Sequence, residues 1–237
     1  MQEPTQIGSH KISKEVVDSI LSKLEREKEK QEDNAILLLS FEELFGMLSE
    51  EEHSFIDEIL SLDPGSYGFR GPFLSRDPVS ASLAVIKGQE YEWKGELKKI
   101  ATQYLPEHVY DAFQKMNEEI EKDLGSRFLI RSGYRSPAYQ VFVVIYNLVK
   151  KEYSFGEVLR WVALPGYSEH GYTDRQAIDL ITENGTINGS EVTFAETEEY
   201  KWLLDNAGKF NFYLSYPQNN KWGVAFEPWH WHYNASR

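Results

Sequence analysis

The sequence predicts an α+β fold: a small antiparallel sheet flanked by helices, with a mainly helical N-terminal extension. Amphipathic helical periodicity dominates the chain up to Leu124, whereas from Phe128 short apolar runs and aromatic-rich strands alternate with helices. Helices first and mixed elements later favour α+β over a doubly wound α/β arrangement. No phosphate-cradling glycine-rich loop and no G-x-S-x-G elbow appears, which removes two common α/β signatures. The 237 residues, 41% hydrophobic and 14% aromatic, suffice for a core, and disordered chains are poor in aromatics. The chain is read as an extension over residues 1–94 and a second domain over 95–237.

The elements follow in order. Val16, Val17, Ile20, Leu21 and Leu24 recur at helical spacing, so Ser13 to Lys30 reads as an amphipathic helix. A second helix starts at Ser49, where Ser49 and Glu52 form a capping box and Phe55, Ile56, Ile59 and Leu60 an apolar stripe. Asp63-Pro64-Gly65 stops it as a turn. Residues 63–93 read as loops with one short strand near Leu83–Ile86. Lys94 to Leu124 reads as helix, with Pro106 as a point of interruption. Gln140–Lys150 and Ser154–Val162 read as helices, the latter opened by a Ser154/Glu157 box. Phe194 to Gly208 reads as a helix with a glycine stop. Phe210–Tyr216 and Trp222–Tyr233 read as strands joined by a turn at Pro217–Asn220.

Charge and composition exclude several classes of function. The formal net charge is −13, which repels nucleic acid and anionic lipid over most of the surface. Glu50–Glu52 and Glu118, Glu119, Glu121 and Asp123 read as solvated helix faces. There is no cysteine, so disulfides, thiolate metal sites and cysteine nucleophiles are excluded. No apolar stretch approaches a membrane span. The start, MQEPTQIGSHK, lacks the apolar core of a signal peptide; either the protein is not exported by that route or its signal lies outside this chain.

Two neighbourhoods concentrate the chemistry. LPGYSEHGYTDRQAIDL holds His170 and Asp179, and EPWHWHY holds Glu227, His230 and His232. A catalytic zinc takes three protein ligands from His and carboxylate and leaves one position open. Without cysteine, two histidines and an aspartate are a natural set. Glu227 precedes His230 by three residues, close enough to share the site as a proton acceptor. Alternation on a strand puts His230 and His232 on one face. A lone strand histidine is usually structural, and E-x-x-H alone is a weak signal; the two neighbourhoods together carry the case. Upstream, IRSGYRSPAYQ sets two arginines and several hydroxyls and amides in a turn before a helix. This is either a polar strand-to-helix loop or an arginine aimed at a developing oxyanion with substrate-binding neighbours.

The segments SGYRSPAYQ, SEHGYTDRQAID and EPWHWHY together resemble the VanY-type D-alanyl-D-alanine carboxypeptidases of the M15 zinc peptidases, in the LAS superfamily. The resemblance covers roughly residues 95–237. It implies a zinc peptidase hydrolysing peptidoglycan stem peptides, a D,D-carboxypeptidase releasing terminal D-alanine. An L,D-carboxypeptidase, a cross-link endopeptidase and a non-hydrolytic zinc-containing binding module are the alternatives. It implies His170, Asp179 and His230 as zinc ligands, Glu227 as general acid/base and Arg135 at the oxyanion. Gln140, Ser168 and Ser132 would bind the peptide, and Trp229 would shape the pocket wall. Location in the bacterial cell envelope or another extracytoplasmic site follows from that substrate alone. Two departures stand out. Eight residues separate His170 from Asp179 where the family usually has six, which makes Asp174 a competing ligand. His232 stands where the family commonly has arginine.

Overall fold

A computed structural model describes residues 6–7, 10–11, 13–185 and 194–235. Most of the MQEPTQIGSHK start lies outside them. In chain order the elements are β1 (Gln6–Ile7), β2 (His10–Lys11), α1 (Lys14–Lys30), α2 (Phe41–Gly46), α3 (Glu50–Ser61), β3 (Leu83–Ile86), β4 (Glu90–Trp93), β5 (Glu96–Lys99), β6 (Gln103–Pro106) and α4 (Glu107–Leu124). They continue with β7 (Phe128–Ser132), α5 (Pro137–Lys150), α6 (Phe155–Val158), β8 (Ala177–Thr182), α7 (Glu198–Asn206), β9 (Phe212–Leu214) and β10 (His230–Tyr233). The fold is α+β, with helices and small antiparallel sheets. The chain divides into two compact units that interleave along the sequence.

The first unit comprises Met1–Pro78, Arg135–Ser168 and Asn219–Ala225. Its helices begin on side-chain caps. Ser13 accepts from Val16 N, and both Ser40/Glu43 and Ser49/Glu52 close full capping boxes. Ser136 caps α5, whose first residue is Pro137, a position where the missing N–H costs nothing. The expected helix start at Gln140 is therefore one turn late. The sequence PAYQVFVVIYNLVK is apolar on most faces, and α5 is buried accordingly, with Val141, Val144, Ile145 and Leu148 inaccessible. Val17, Ile20 and Leu24 of α1, Ile36, Leu44, and Ile56 and Ile59 of α3 complete this core. Buried Glu52 joins α3 to α1, accepting from Ser19 Oγ at 2.7 Å and Lys23 Nζ at 2.5 Å. The helix expected over Ser154–Val162 is a single turn, α6, capped by Ser154.

The second unit comprises Val79–Tyr134, Glu169–Gln218 and Phe226–Arg237. Its centre is a four-stranded antiparallel sheet in the order β7-β8-β10-β9. Phe128 and Ile130 of β7, Ile178 and Leu180 of β8, Phe212 of β9 and Trp231 of β10 form one core with Val109, Phe113, Met116 and Ile120 of α4 and with Trp202 and Leu203 of α7. Side chains alternate across a strand, so Asp179, His230 and His232 share the opposite face. The outer edge of β7 is closed by side-chain amides. Asn117 pairs with Phe128 N and O, and Gln89 with Ile130 N and O.

Three sequence expectations need correction here. Residues 94–106 are not helical: β4 and β5 form a hairpin through Lys94 and Gly95, and β6 pairs with β3 before α4 begins. Lys94 and Gly95 take φ of 52° and 79°, the two positive values that a two-residue hairpin turn with matching twist requires. The helix after Phe194 does not stop at Gly208; it loosens into a 3₁₀ turn and ends at Asn211, φ 64°. The strand expected from Trp222 is confined to His230–Tyr233, because Gly223 to Glu227 run irregularly.

Candidate metal and catalytic site

β10 lies antiparallel between β8 and β9, and its register sets His230 directly opposite Asp179. His170 comes from the short 3₁₀ turn Glu169–Gly171 ahead of β8. Fully buried Gln176 ties this turn to the strand, its Nε2 donating to the carbonyls of His170 and Ala177. One donor atom from each of His170, Asp179 and His230 lies within 4.8 Å of the others. Asp179 Oδ2 is 3.3 Å from His170 Nε2, and Asp179 Oδ1 is 2.9 Å from His230 Nδ1. An edge of about 3.3 Å is what tetrahedral bonds of 2.0–2.1 Å generate.

The ring orientations fit metal ligation. His170 Nδ1 donates to Gly133 O at 2.7 Å; since a carbonyl only accepts, the Nε2 lone pair points at the cluster. Gly133 is required for this. A Cβ there would meet Tyr104 O at 2.3 Å and Leu105 Cδ2 at 3.2 Å, so a side chain would displace the backbone that orients His170. His230 turns Nδ1 toward Asp179 and Nε2 toward Glu169 Oε2, at 3.1 Å. Two imidazoles and a carboxylate in this array are a donor set that zinc accepts.

Electrostatics concentrate negative charge here. Burial alone would lower the pKa of His230, but its bonds to Asp179 and Glu169 raise it to about 10. Burial would likewise raise Asp179, and the flanking His170 and His230 hold it well below the ordinary range. Glu169 behaves the same way: burial opposes its charge, and His230, His232 and Arg175 stabilise it. Glu227 Oε2 sits 3.8 Å from His230 Nδ1, and the turn between them is closed by His230 N donating to Glu227 O at 3.1 Å. The Tyr216 ring lies 4.8 Å from that of His230. Burial, then the charges of Glu169 and Glu227, push its phenol well above the usual value.

The other predicted residues are placed as follows. Ser132 ends β7 and pairs across with Asp179 after a bulge. Trp229 is half-buried against the second unit's core, its carbonyl accepting from Leu180 N. Arg135, Gln140 and Ser168 belong to the first unit. Gln140 Nε2 donates to Ala163 O at 2.8 Å, while its buried Oε1 and the buried Nε of Arg135 have no hydrogen-bond partner among the described residues. Asp174 is exposed and accepts from Tyr172 OH, outside the cluster. His232 is buried, 2.8 Å from Ser215 Oγ, and also outside it. Sequence reasoning missed Glu169, Arg175, Ser215 and Tyr216. Glu169 adjoins His170, and Ser215-Tyr216 follow the strand beside β10; only the pairing of β9 with β10 makes them neighbours of His230.

Residues 102–236 match the VanY family profile, described as D-alanyl-D-alanine carboxypeptidase. The chain belongs to the VanY family. It is 30% identical over 179 residues to YodJ of Bacillus subtilis (strain 168), an alignment covering 75% of this chain and 60% of YodJ. It is 33% identical over 134 residues to a D-alanyl-D-alanine carboxypeptidase of Enterococcus faecium, covering 55% of this chain and 37% of that protein. The chain thus spans less than two thirds of the length of both relatives. Among solved structures it is similar to the LdcB LD-carboxypeptidase, with 29% identity, a TM-score of 0.48 and coverage of 63% of this chain and 67% of that one.

Proposed function

We propose that this VanY-family protein is a zinc-dependent peptidase of peptidoglycan stem peptides, a D,D-carboxypeptidase that releases the C-terminal D-alanine. The observation that carries this reading is the convergence of His170 Nε2, Asp179 and His230 Nδ1, with the Glu227 carboxylate 3.8 Å from that Nδ1. The proposed catalytic region is residues 95–237, which contain every proposed site residue; of the N-terminal 94 residues, Val79 onward folds within the second unit. The work is extracytoplasmic, in the bacterial cell envelope, because the substrate is there. Among the described residues no helix is long and apolar enough to cross a membrane.

In this mechanism His170 and His230 serve as neutral imidazoles and Asp179 as a carboxylate, together holding zinc. Zinc, when bound, lowers the pKa of a water toward about 7 and polarises the scissile carbonyl. Glu227 accepts the proton of the attacking water and returns it to the leaving amine, so the C–N bond breaks to give a shortened peptide and free D-alanine. Arg135 donates to the oxyanion, and Gln140, Ser168, Ser132 and Trp229 bind the peptide, in the roles that the family resemblance implies.

The test is incubation with a stem pentapeptide ending in D-alanyl-D-alanine, with zinc or with a chelator, followed by mass. Zinc-dependent loss of one D-alanine is expected, and an amidated C-terminus should block it. Cleavage of a tetrapeptide instead would replace the D,D-reading with an L,D-carboxypeptidase. Cleavage of the amidated peptide would indicate an endopeptidase. A protein carrying zinc that cleaves none of these would be the binding module.

A further inference from the structure

Glu169 and Arg175 are neither proposed ligands nor proposed catalytic groups, yet among the described residues they form the most enclosed arginine–carboxylate contact of the second unit. Glu169 is 7% exposed and uses both carboxylate oxygens. Oε1 accepts from Arg175 Nε at 2.5 Å; Oε2 accepts from Ser215 Oγ at 2.5 Å and faces His230 Nε2 at 3.1 Å. Ser215 gives its one proton to the carboxylate, and His232 Nδ1 lies 2.8 Å from Ser215 Oγ and 3.4 Å from Arg175 Nη2. The serine thus helps fix Glu169.

We propose that Glu169 is the positioning residue of His230, and that Arg175, carried on the segment between His170 and Asp179, braces Glu169 for that task. The inference rests on the zinc reading given above. A histidine ligating through Nδ1 must keep its proton on Nε2, and an acceptor at Nε2 selects that tautomer and fixes the ring plane. Glu169 Oε2 is such an acceptor, on the side of the ring away from Asp179. A carboxylate this buried is costly unless its charge is compensated. Among the described residues, Arg175 is the only lysine or arginine paired with Glu169. The segment carrying it is the one that exceeds the usual family spacing by two residues. It therefore contributes a brace to the metal site, without supplying a ligand through Asp174.

The experiment compares the full chain with Glu169→Gln, Arg175→Ala and Arg175→Lys. The readouts are zinc affinity by competition with a chromophoric chelator, the visible spectrum of the cobalt(II)-loaded protein, and unfolding of the metal-free form by circular dichroism. Glutamine offers one acceptor oxygen where the carboxylate offers two, so Glu169→Gln should raise the zinc Kd about 10–100-fold. Arg175→Ala should raise it less, and Arg175→Lys should recover part of that loss by keeping the charge without the planar fork. The cobalt spectrum should change in Glu169→Gln, since the geometry at His230 relaxes. Wild-type Kd and cobalt spectrum in folded Glu169→Gln and Arg175→Ala proteins would overturn the proposal, and would leave the pair as a structural ion pair. If Glu169→Gln does not fold, Arg175→Ala decides alone, because the arginine side chain is 25% exposed and its truncation is milder. A wild-type protein that binds no zinc would overturn the functional reading and the brace with it.

Discussion

Replacing Glu52 by glutamine should destabilise the first unit and leave the metal site intact. Burial opposes the Glu52 charge, but hydrogen bonds from Lys23, Ser49 and Ser19 outweigh it and hold the pKa at about 2. An unfolded glutamate titrates near about 4.3, so the difference of about 2.3 pH units corresponds to about 3 kcal/mol of stability. Lys23 is 32% exposed, and water already screens its part of the interaction, so about 1–2 kcal/mol is the expected loss at pH 7. The sign follows from the depressed pKa. The stabilisation is complete above the unfolded pKa, near pH 4.3, and is lost as pH falls through the folded value near 2. Urea unfolding of both proteins at pH 7 and at pH 3 measures it, and the gap between them should narrow at the lower pH. Zinc content should stay the same. A gap below about 0.3 kcal/mol at pH 7, or one that widens on acidification, would refute the reasoning.

Two further outcomes concern the site. Glu227→Gln removes the proton acceptor while keeping shape and the backbone bond from His230 N, so kcat for D-alanine release should fall about 10²–10⁴-fold with zinc still bound. Unchanged kcat would remove Glu227 from the mechanism. Gly133→Ala forces the new Cβ against Tyr104 O, shifts the carbonyl that holds His170 Nδ1, and should weaken zinc binding about tenfold. Equal zinc affinity in the two chelator titrations would show that the Gly133 carbonyl does not orient His170.

The parts of the fold legible in the sequence are those whose cause is local. Ser49 with Glu52 announced α3 because a capping box is complete within four residues, and the α1 stripe was periodic enough to locate Val17, Ile20 and Leu24 in the core. The region from Lys94 to Pro106 misled because its charged residues suit a helix equally well. The strand pairings Glu90–Lys99 and Trp93–Glu96 depend on a turn that only Lys94 and Gly95, both at positive φ, can make. Likewise Trp222 to Phe226 has the aromatic content of a strand but pairs with no strand among the described residues. The interleaving of 135–168 with the N-terminal helices was not legible at all, since it depends on contacts such as Ser136 Oγ donating to Leu39 O across the chain.

The cluster of His170, Asp179 and His230 was legible through motif spacing, and sheet geometry gives the reason the motif works. His230 and Asp179 stand opposite in antiparallel register, on the face that alternation turns away from Trp231 and Ile178. A shift of one residue in that register would carry the proposed ligands Asp179 and His230 into the core face and the core residues out. The register is pinned from the other side by packing of Trp231, Ile178 and Leu180 against α4 and α7. On the proposed ligand set, metal affinity is tied to core packing through the parity of a strand. The shell around the proposed ligands was not legible because Ser215 lies outside both motifs, and Glu169 and Arg175 of the first motif meet it and His232 of the second only across the sheet. Spacing within a motif reports which atoms can reach a metal; the groups that fix those atoms in one tautomer emerge only when the strands are laid side by side.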